Sequence, residues 1–529
     1  MRVCMIMLVL MIAAAAGGAV AAQADPTLAM TRQGALNGVV EGALAIFKGI
    51  AYAAPPVGPL RWKPPQPPAK HQGVRNAMTF GPPCPAFDGS KMKQGRQLSG
   101  AYDIFIGIPD APGSSEDCLH LNIWAPVRAK RAAVMVWIQP AGPSAYPLFD
   151  GGALARHGVV LVTMDYRQLT LGNFAHPALT REAKPDAPLS RFQTMDQMAA
   201  LRWVKENVAA FGGDPHNVTI FGESAGGAST LQLLTIPDAH GLFDKAIVQS
   251  GAGWWAPFSL QQMEALGSWA ARQAGLPGKD ATTDQLRALG PGALPGLGIY
   301  SVDARLQREN ATTAIANGRM ADVPLLIGWT NDDGSSLRRA DPATFASQAS
   351  DKLKAAYAHD GKAGSDLGYQ MYTDQHVGAP ARWIADRAAS GAPSYLYLFS
   401  YVRAARRGQV RGAAHGDELP FVFGSWDKVF PQLKLTEEDR AMTSMMQSCW
   451  VSFAKTGKPQ CEGAPDWPRY GRASDRLMDL DVKPRVRTGF RKAQLDAQEA
   501  AMQDVIGDER RSVEDLVGQA TSGQLDPHN

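Results

Sequence analysis

Short apolar runs recur along the chain, and between them apolar residues return every three or four positions. The runs Ala132 to Ile138, Val159 to Met164, Val218 to Phe221, Lys245 to Gln249, Leu325 to Ile327 and Ser394 to Phe399 are apolar and rich in residues that favour strands. Several lack alternation of apolar and polar positions, which is the pattern of strands covered on both faces in a parallel sheet. MDQMAALRWVKENV (Met195 to Val208) has helical spacing, and Ala228 to Leu234 continues from a strand into a helical pattern. Strand alternating with helix predicts an α/β fold, a large and mostly parallel central sheet flanked by helices, with long insertions.

Two segments depart from this rhythm. AAPPVGPLRWKPPQPP (Ala53 to Pro68) is too rich in proline for a helix and predicts an ordered surface segment. From about Gln494 the chain becomes charged and polar, which predicts one or two amphipathic helices and a frayed end at SGQLDPHN. The expected organisation is a leader over residues 1–24, one large domain over 25–495, and a polar helix and tail over 496–529.

Composition narrows the classes. A chain of 529 residues, 45% of them hydrophobic, can bury a large core. The net charge of +3, with no basic stretch interleaved with aromatic residues, predicts no nucleic-acid partner. Arg2, the apolar run Met5 to Ala16 and the small residues after it read as a secretory signal peptide, cleaved after Ala21 or after Ala24. The mature chain is therefore expected to be secreted or periplasmic, with no stable membrane insertion. Cys84, Cys118, Cys449 and Cys461 remain after cleavage, an even number that favours disulfides in an exported chain without fixing their pairing. No histidines stand near them at zinc-site spacing, so neither a metal nor a cofactor is expected. The oligomeric state is left open.

The chemistry is concentrated in Gly222-Glu223-Ser224-Ala225-Gly226-Gly227, which follows the strand VTIF and precedes a helix expected to begin near Ala228. A serine on a tight strand-to-helix turn needs small residues two positions to either side. In return its hydroxyl is lifted clear of the sheet, facing the positive end of the helix. With such an elbow the partners follow in the order Ser, Asp or Glu, His. Of the histidines well beyond Ser224, His528 lies in the frayed end, and His359 and His376 lie in polar sequence typical of solvated surface. His415, in RGAAHGDELPFVFG, sits in a small-residue loop leading into an apolar segment and is the favoured base. The strand Leu325 to Ile327 is followed by Asp332 and Asp333, two adjacent candidates for the acid that this pattern does not separate.

These residues resemble the type-B carboxylesterases, the group that includes bacterial esterases, fungal lipases and cholinesterases. The similarity runs from about Thr31 to Tyr470. FGGDPHNVTIFGESAGG resembles the active-site signature of that family, and SEDCLHLNIWAP resembles its second signature, with His120 at a position usually aromatic or Thr. FKGIAYAAPPVGPLRWKPP, DYRQLTLGNFAHPAL, AAHGDELPFVFG and WVSFAKTGKP are similar to further family blocks in the same order. The resemblance implies an α/β-hydrolase fold, Ser224 as nucleophile, His415 as general base and Asp333 as the triad acid, where the family usually has Glu. It also implies a Cys84–Cys118 disulfide. Cys449 and Cys461 match no standard family pair; they either bridge each other, the favoured expectation, or are two unrelated thiols.

The second departure falls on the oxyanion side. Where the family has an HGGG-type run, this chain has Gln139-Pro140-Ala141-Gly142. The resemblance assigns the oxyanion donors to the N–H groups of Ala141, Gly142 and Ala225. All three donors are present in sequence, but alanine resists backbone angles that glycine permits and Pro140 restricts Gln139; a misplaced hole would leave a slow enzyme, not an inert one. Trp254 and Trp255 follow the block in which the family places acyl-pocket residues, where they either narrow the pocket or belong to the core. Glu223 either acts on His415 electrostatically or serves the elbow structurally. The implied activity is hydrolysis of a small-molecule ester through an acyl-enzyme. The rival expectations are a silent, cholinesterase-like binding protein, or a hydrolase of amides, carbamates or lactones that uses the same triad.

Overall fold

The structure, a computed structural model, describes residues 25–525 apart from 86–112, 141, 252, 296–300, 304 and 338–340. The expected leader, with Cys4, lies outside the described residues, and so does Ala141.

The centre is an 11-stranded sheet. Its strands, in chain order, are β1 (Val39–Glu41), β2 (Leu44–Ala51), β3 (His120–Pro126), β4 (Ala132–Ile138), β5 (Val160–Met164), β6 (Gly213–Glu223), β7 (Lys245–Gln249), β8 (Leu325–Thr330), β9 (Ser394–Phe399), β10 (Arg476–Leu480) and β11 (Arg485–Thr488). They lie side by side as β11-β10-β9-β8-β7-β6-β4-β5-β3-β2-β1. Every pair from β5 through β10 is parallel, and the pairs at both margins are antiparallel. The fold is thus the α/β architecture that the sequence pattern predicts, in the α/β-hydrolase form that the family resemblance implies.

The missing alternation now has its physical cause. In β4, Val134, Val136 and Ile138 enter one hydrophobic core while Ala133, Met135 and Trp137 enter the other, on the opposite face. Every residue of β8 and β9 is buried. Layers on both sides leave no solvent face, so no polar phase is written into these strands. The less regular β2, β3, β10 and β11 were not singled out from the pattern.

Helices fill the two layers: α1 (Phe192–Asn207), α2 (Ala225–Thr235), α3 (Leu260–Gln273), α4 (Ala379–Ala388), α5 (Glu437–Thr456), α6 (Lys492–Ala500) and α7 (Met502–Ser522). The C-terminal pair packs onto the body. Leu495 and Ala520 are fully buried, Arg382 of α4 pairs with Asp496, and Arg272 of α3 donates to the Ala520 carbonyl at 2.9 Å. The proline-rich segment contains one short helical turn, Gly58–Leu60, contrary to the expectation of none. Pro59 stands in its first turn, where a missing N–H costs nothing. Two disulfides are formed, Cys84–Cys118 and Cys449–Cys461. Among the described residues no helix is long and apolar enough to cross a membrane.

Candidate active site

The parallel strands deliver their carboxyl ends to one edge of the sheet, which is where open α/β sheets bind ligands. Gln139 follows β4, Gln168 follows β5, Ser224 follows β6, Ser250 follows β7, Asp332 and Asp333 follow β8, and His415 lies in the segment after β9. One edge therefore gathers residues spread over most of the chain.

The serine turn is built from close backbone approach. Ser224 has φ 54° and ψ −121°, a conformation disfavoured for any residue with a Cβ. A Cβ on Gly226 would lie 1.9 Å from the Ile138 carbonyl oxygen, and one on Gly222 would lie 2.4 Å from the Gly226 carbonyl. Only glycine lets β4, β6 and α2 meet this tightly, and that contact holds the strained serine in place. The helix starts at Ala225, three residues before the position expected from sequence, so the Ala225 N–H belongs to its first turn. Ser224 is half-buried while Glu223 beside it is fully buried.

The candidate acid and base lie in contact, and geometry separates the two aspartates. His415 Nδ1 hydrogen-bonds Asp333 Oδ1. The other Asp333 oxygen accepts from the Thr330 N–H and the Ser250 hydroxyl, each at 2.8 Å. Asp332 turns the opposite way and takes Arg411 through Nε and Nη2, both at 3.1 Å. The Arg411 guanidinium lies 3.7 Å from the Tyr369 ring centroid. Asp332 also ties the acid loop to the histidine loop, because its N–H donates to Ala413 O at 2.9 Å. Burial raises the Asp332 carboxyl to about 6 against the pull of Arg411. The His415 N–H donates to Ser335 Oγ at 2.9 Å. Ser224 Oγ makes no hydrogen bond among the described residues, a looseness common before substrate draws nucleophile and base together.

Buried acids surround the imidazole. His415 Nε2 lies 3.2 Å from Glu223 Oε1, although the Glu223 carboxylate makes no hydrogen bond among the described residues. Glu418, one turn beyond His415, is also fully buried and accepts from Gln249 Nε2 at 3.1 Å, while Trp450 Nε1 donates to Gln249 Oε1 at 3.0 Å. Burial and the Asp333 charge push Glu223 up to about 7, against His415. Burial together with Glu223 and Asp333 pushes Glu418 up to about 8. Burial pulls His415 down, but Glu223 and Asp333 outweigh it and raise the imidazole to about 9. These groups titrate as one system, and protons held on Glu223 and Glu418 favour a neutral imidazole. Glu418 and Ser250 escaped the sequence reading. The available signal was a glutamate embedded in the apolar run ELPFVF.

The oxyanion loop is held by its neighbour. The Tyr166 hydroxyl donates to the Gln139 carbonyl. The Gln139 side chain is fully buried, and neither of its amide atoms has a partner among the described residues. Ser144 donates to Asp165 through both its N–H (2.7 Å) and its hydroxyl (2.6 Å). Burial raises Asp165 to about 7 against those two bonds. Gly142, at φ 71°, donates its N–H to Gln168 Oε1 at 3.1 Å, and its carbonyl accepts from Gln168 Nε2 at 2.9 Å. The N–H expected to face an oxyanion is therefore engaged elsewhere.

The remaining candidates divide. Trp254 is buried in the core, whereas Trp255 is half-buried, packed against the same core and over Gly253. His376 is not on a solvated surface as expected. It is half-buried, stacks on Tyr372 at 3.8 Å with Phe345 nearby, and burial lowers it to about 4.

The model of the carboxylesterase family matches residues 25–498. The chain is 34% identical over 482 residues to a para-nitrobenzyl esterase of Bacillus subtilis (strain 168), covering 85% of this chain and 94% of that protein. It is 33% identical to a fumonisin B1 esterase of Sphingopyxis macrogoltabida, covering 86% and 87%. A solved PNB esterase structure superposes with a TM-score of 0.75 at 30% identity, covering 90% of this chain and 100% of that one.

Proposed function

The chain belongs to the carboxylesterase family and is a carboxylic ester hydrolase, and from that premise we propose that it works as a serine esterase through an acyl-enzyme on Ser224. The observation that carries this reading is the Asp333–His415 hydrogen bond beside a serine held at φ 54° on a glycine-walled turn. In this scheme His415 Nε2 takes the Ser224 proton as Oγ attacks the ester carbonyl. Asp333 fixes the imidazole through Nδ1 and stabilises the imidazolium. The tetrahedral oxyanion collapses, and the alcohol leaves with the proton from His415. Water, deprotonated by the same imidazole, then releases the acid and restores the serine. The N–H groups of Ala225 and Ala141 receive the oxyanion, together with Gly142 when it is released.

Carboxylic esters are the substrate class. Export to an oxidising compartment is part of the same proposal, supported by two disulfides in one chain. The test is labelling of the native protein with a fluorophosphonate and mapping by mass spectrometry. The expected result is a single adduct on Ser224, lost in Ser224→Ala together with hydrolysis of p-nitrophenyl esters. Intact protein that stays unlabelled at Ser224 while hydrolysing esters would falsify the scheme.

A further inference from the structure

Pro140 and Pro143 carry no N–H, so the stretch Pro140–Pro143 offers an oxyanion only the amides of Ala141 and Gly142. One of those two is already used. The single hydrogen of Gly142 N points at Gln168 Oε1, and Gln168 Nε2 returns a bond to the Gly142 carbonyl. Gln168 is only 6% exposed, so water competes poorly for either end of its amide. Its position is firmly set. Arg167 before it forms a buried pair with Asp196 at 2.7 Å, and Leu169 after it is held at φ 48°, a conformation unfavourable to a bulky side chain. The Gln168 side chain thus meets the oxyanion loop from a rigid base, and it grips one residue at both of its polar groups.

We propose that Gln168 is a positioning residue that withholds the Gly142 N–H from the oxyanion, which gains this donor only by displacing the Gln168 carbonyl. The proposal rests on the reading of Ser224 as nucleophile. A ground-state bond must then be given up for each transition state that uses Gly142, and the net stabilisation from that donor falls accordingly. The turnover of this esterase is set partly by a side chain that touches neither the serine nor the histidine.

The experiment compares wild type with Gln168→Met, which keeps length and bulk but has no acceptor for the N–H, and Gln168→Glu, which keeps a stronger acceptor and loses the donor. Reactive sites are first counted with diethyl p-nitrophenyl phosphate, so that kcat refers only to folded, competent enzyme. Then kcat and KM for p-nitrophenyl acetate are measured, along with the inhibition constant of a trifluoromethyl ketone that forms an oxyanion on the serine. A whole donor is worth on the order of 10²–10³ in kcat, so Gln168→Met is expected to raise kcat about tenfold and tighten the ketone by a similar factor, with KM little changed. Gln168→Glu is expected to move both quantities the other way. A loss of kcat and of ketone affinity in Gln168→Met overturns the proposal, because Gln168 then builds the hole. Unchanged values in both variants overturn it equally. Should Gln168→Met fail to fold, Gln168→Glu decides alone, and a rise in its kcat overturns the idea. A wild type that titrates no reactive serine sinks the nucleophile reading instead, so the two failures are distinguishable.

Discussion

The two halves of the site are held by different means. On the acid–base side, Asp333 is fixed by the N–H of Thr330, the last residue of β8, and by Ser250 just after the adjacent strand, and His415 is fixed through Ser335. On the oxyanion side, the loop after β4 depends on side chains from the end of β5: Asp165, Tyr166 and Gln168. The first arrangement combines one local group, Thr330, with Ser250 and Ser335, which lie 83 and 80 residues from the residues they hold. The second borrows its anchors from a neighbouring strand, which leaves the loop's own sequence free to depart from glycine. A hydrolase can therefore keep its proton relay intact while its oxyanion loop changes, provided another strand supplies the bonds.

The comparison can be broken at the relay, where the largest effect is expected. Asp333→Asn should keep the fold but leave the wrong histidine tautomer, lowering kcat on p-nitrophenyl butyrate by about 10⁴. A loss of less than tenfold would mean that Asp332 or Glu223 serves the imidazole. On the other side, Ser144→Ala removes both the hydroxyl bond to buried Asp165 and the acceptor for Asn122. Urea unfolding should show a destabilisation of about 1–3 kcal/mol, with kcat falling more than KM changes. Unaltered kcat would show that the loop is not anchored through Asp165.

The electrostatic coupling gives a third test. His415 acts as a base only when neutral, and Glu223 and Asp333 raise it to about 9 against the effect of burial. The rate should therefore rise with pH through the weakly alkaline range. Glu223→Gln removes one of the charges that stabilise the imidazolium, so the rise should move to lower pH in a kcat/KM profile. No move would show that Glu223 is already protonated when the enzyme works, and a move to higher pH would show that it does not stabilise the imidazolium. The smallest effect is expected at Asp332→Asn. Arg411 is 37% exposed, and solvent screening limits that pair to about 1 kcal/mol or less of stability. The rate should change only severalfold, in contrast to Asp333→Asn, and matching losses at the two positions would erase the distinction drawn between these neighbours.

Much of this was legible in the order of residues. The apolar runs at Ala132 to Ile138, Lys245 to Gln249 and Ser394 to Phe399 coincide with strands of the sheet. They are legible because burial on both faces forces continuous apolar sequence. The elbow could be read because its glycines answer a steric demand between adjacent elements, and His415 because its loop lies at the correct point in chain order. His376 shows the limit, since polar neighbours in sequence do not reveal which side of a helical turn is covered.

What the sequence determined by itself was the class of fold and the tight serine turn, because local sterics and periodicity are properties of consecutive residues, and chain order singled out His415 as the candidate base. Family resemblance added the choice of Asp333, which pattern alone left level with Asp332. Only the tertiary structure decided that one aspartate faces the imidazole and the other an arginine, that Glu418 joins Glu223 beneath the histidine, and that Gln168 reaches Gly142. Each of those contacts joins segments that are distant along the chain and are brought together at one edge of the sheet. Their strength depends on the loss of water there, which no stretch of sequence records.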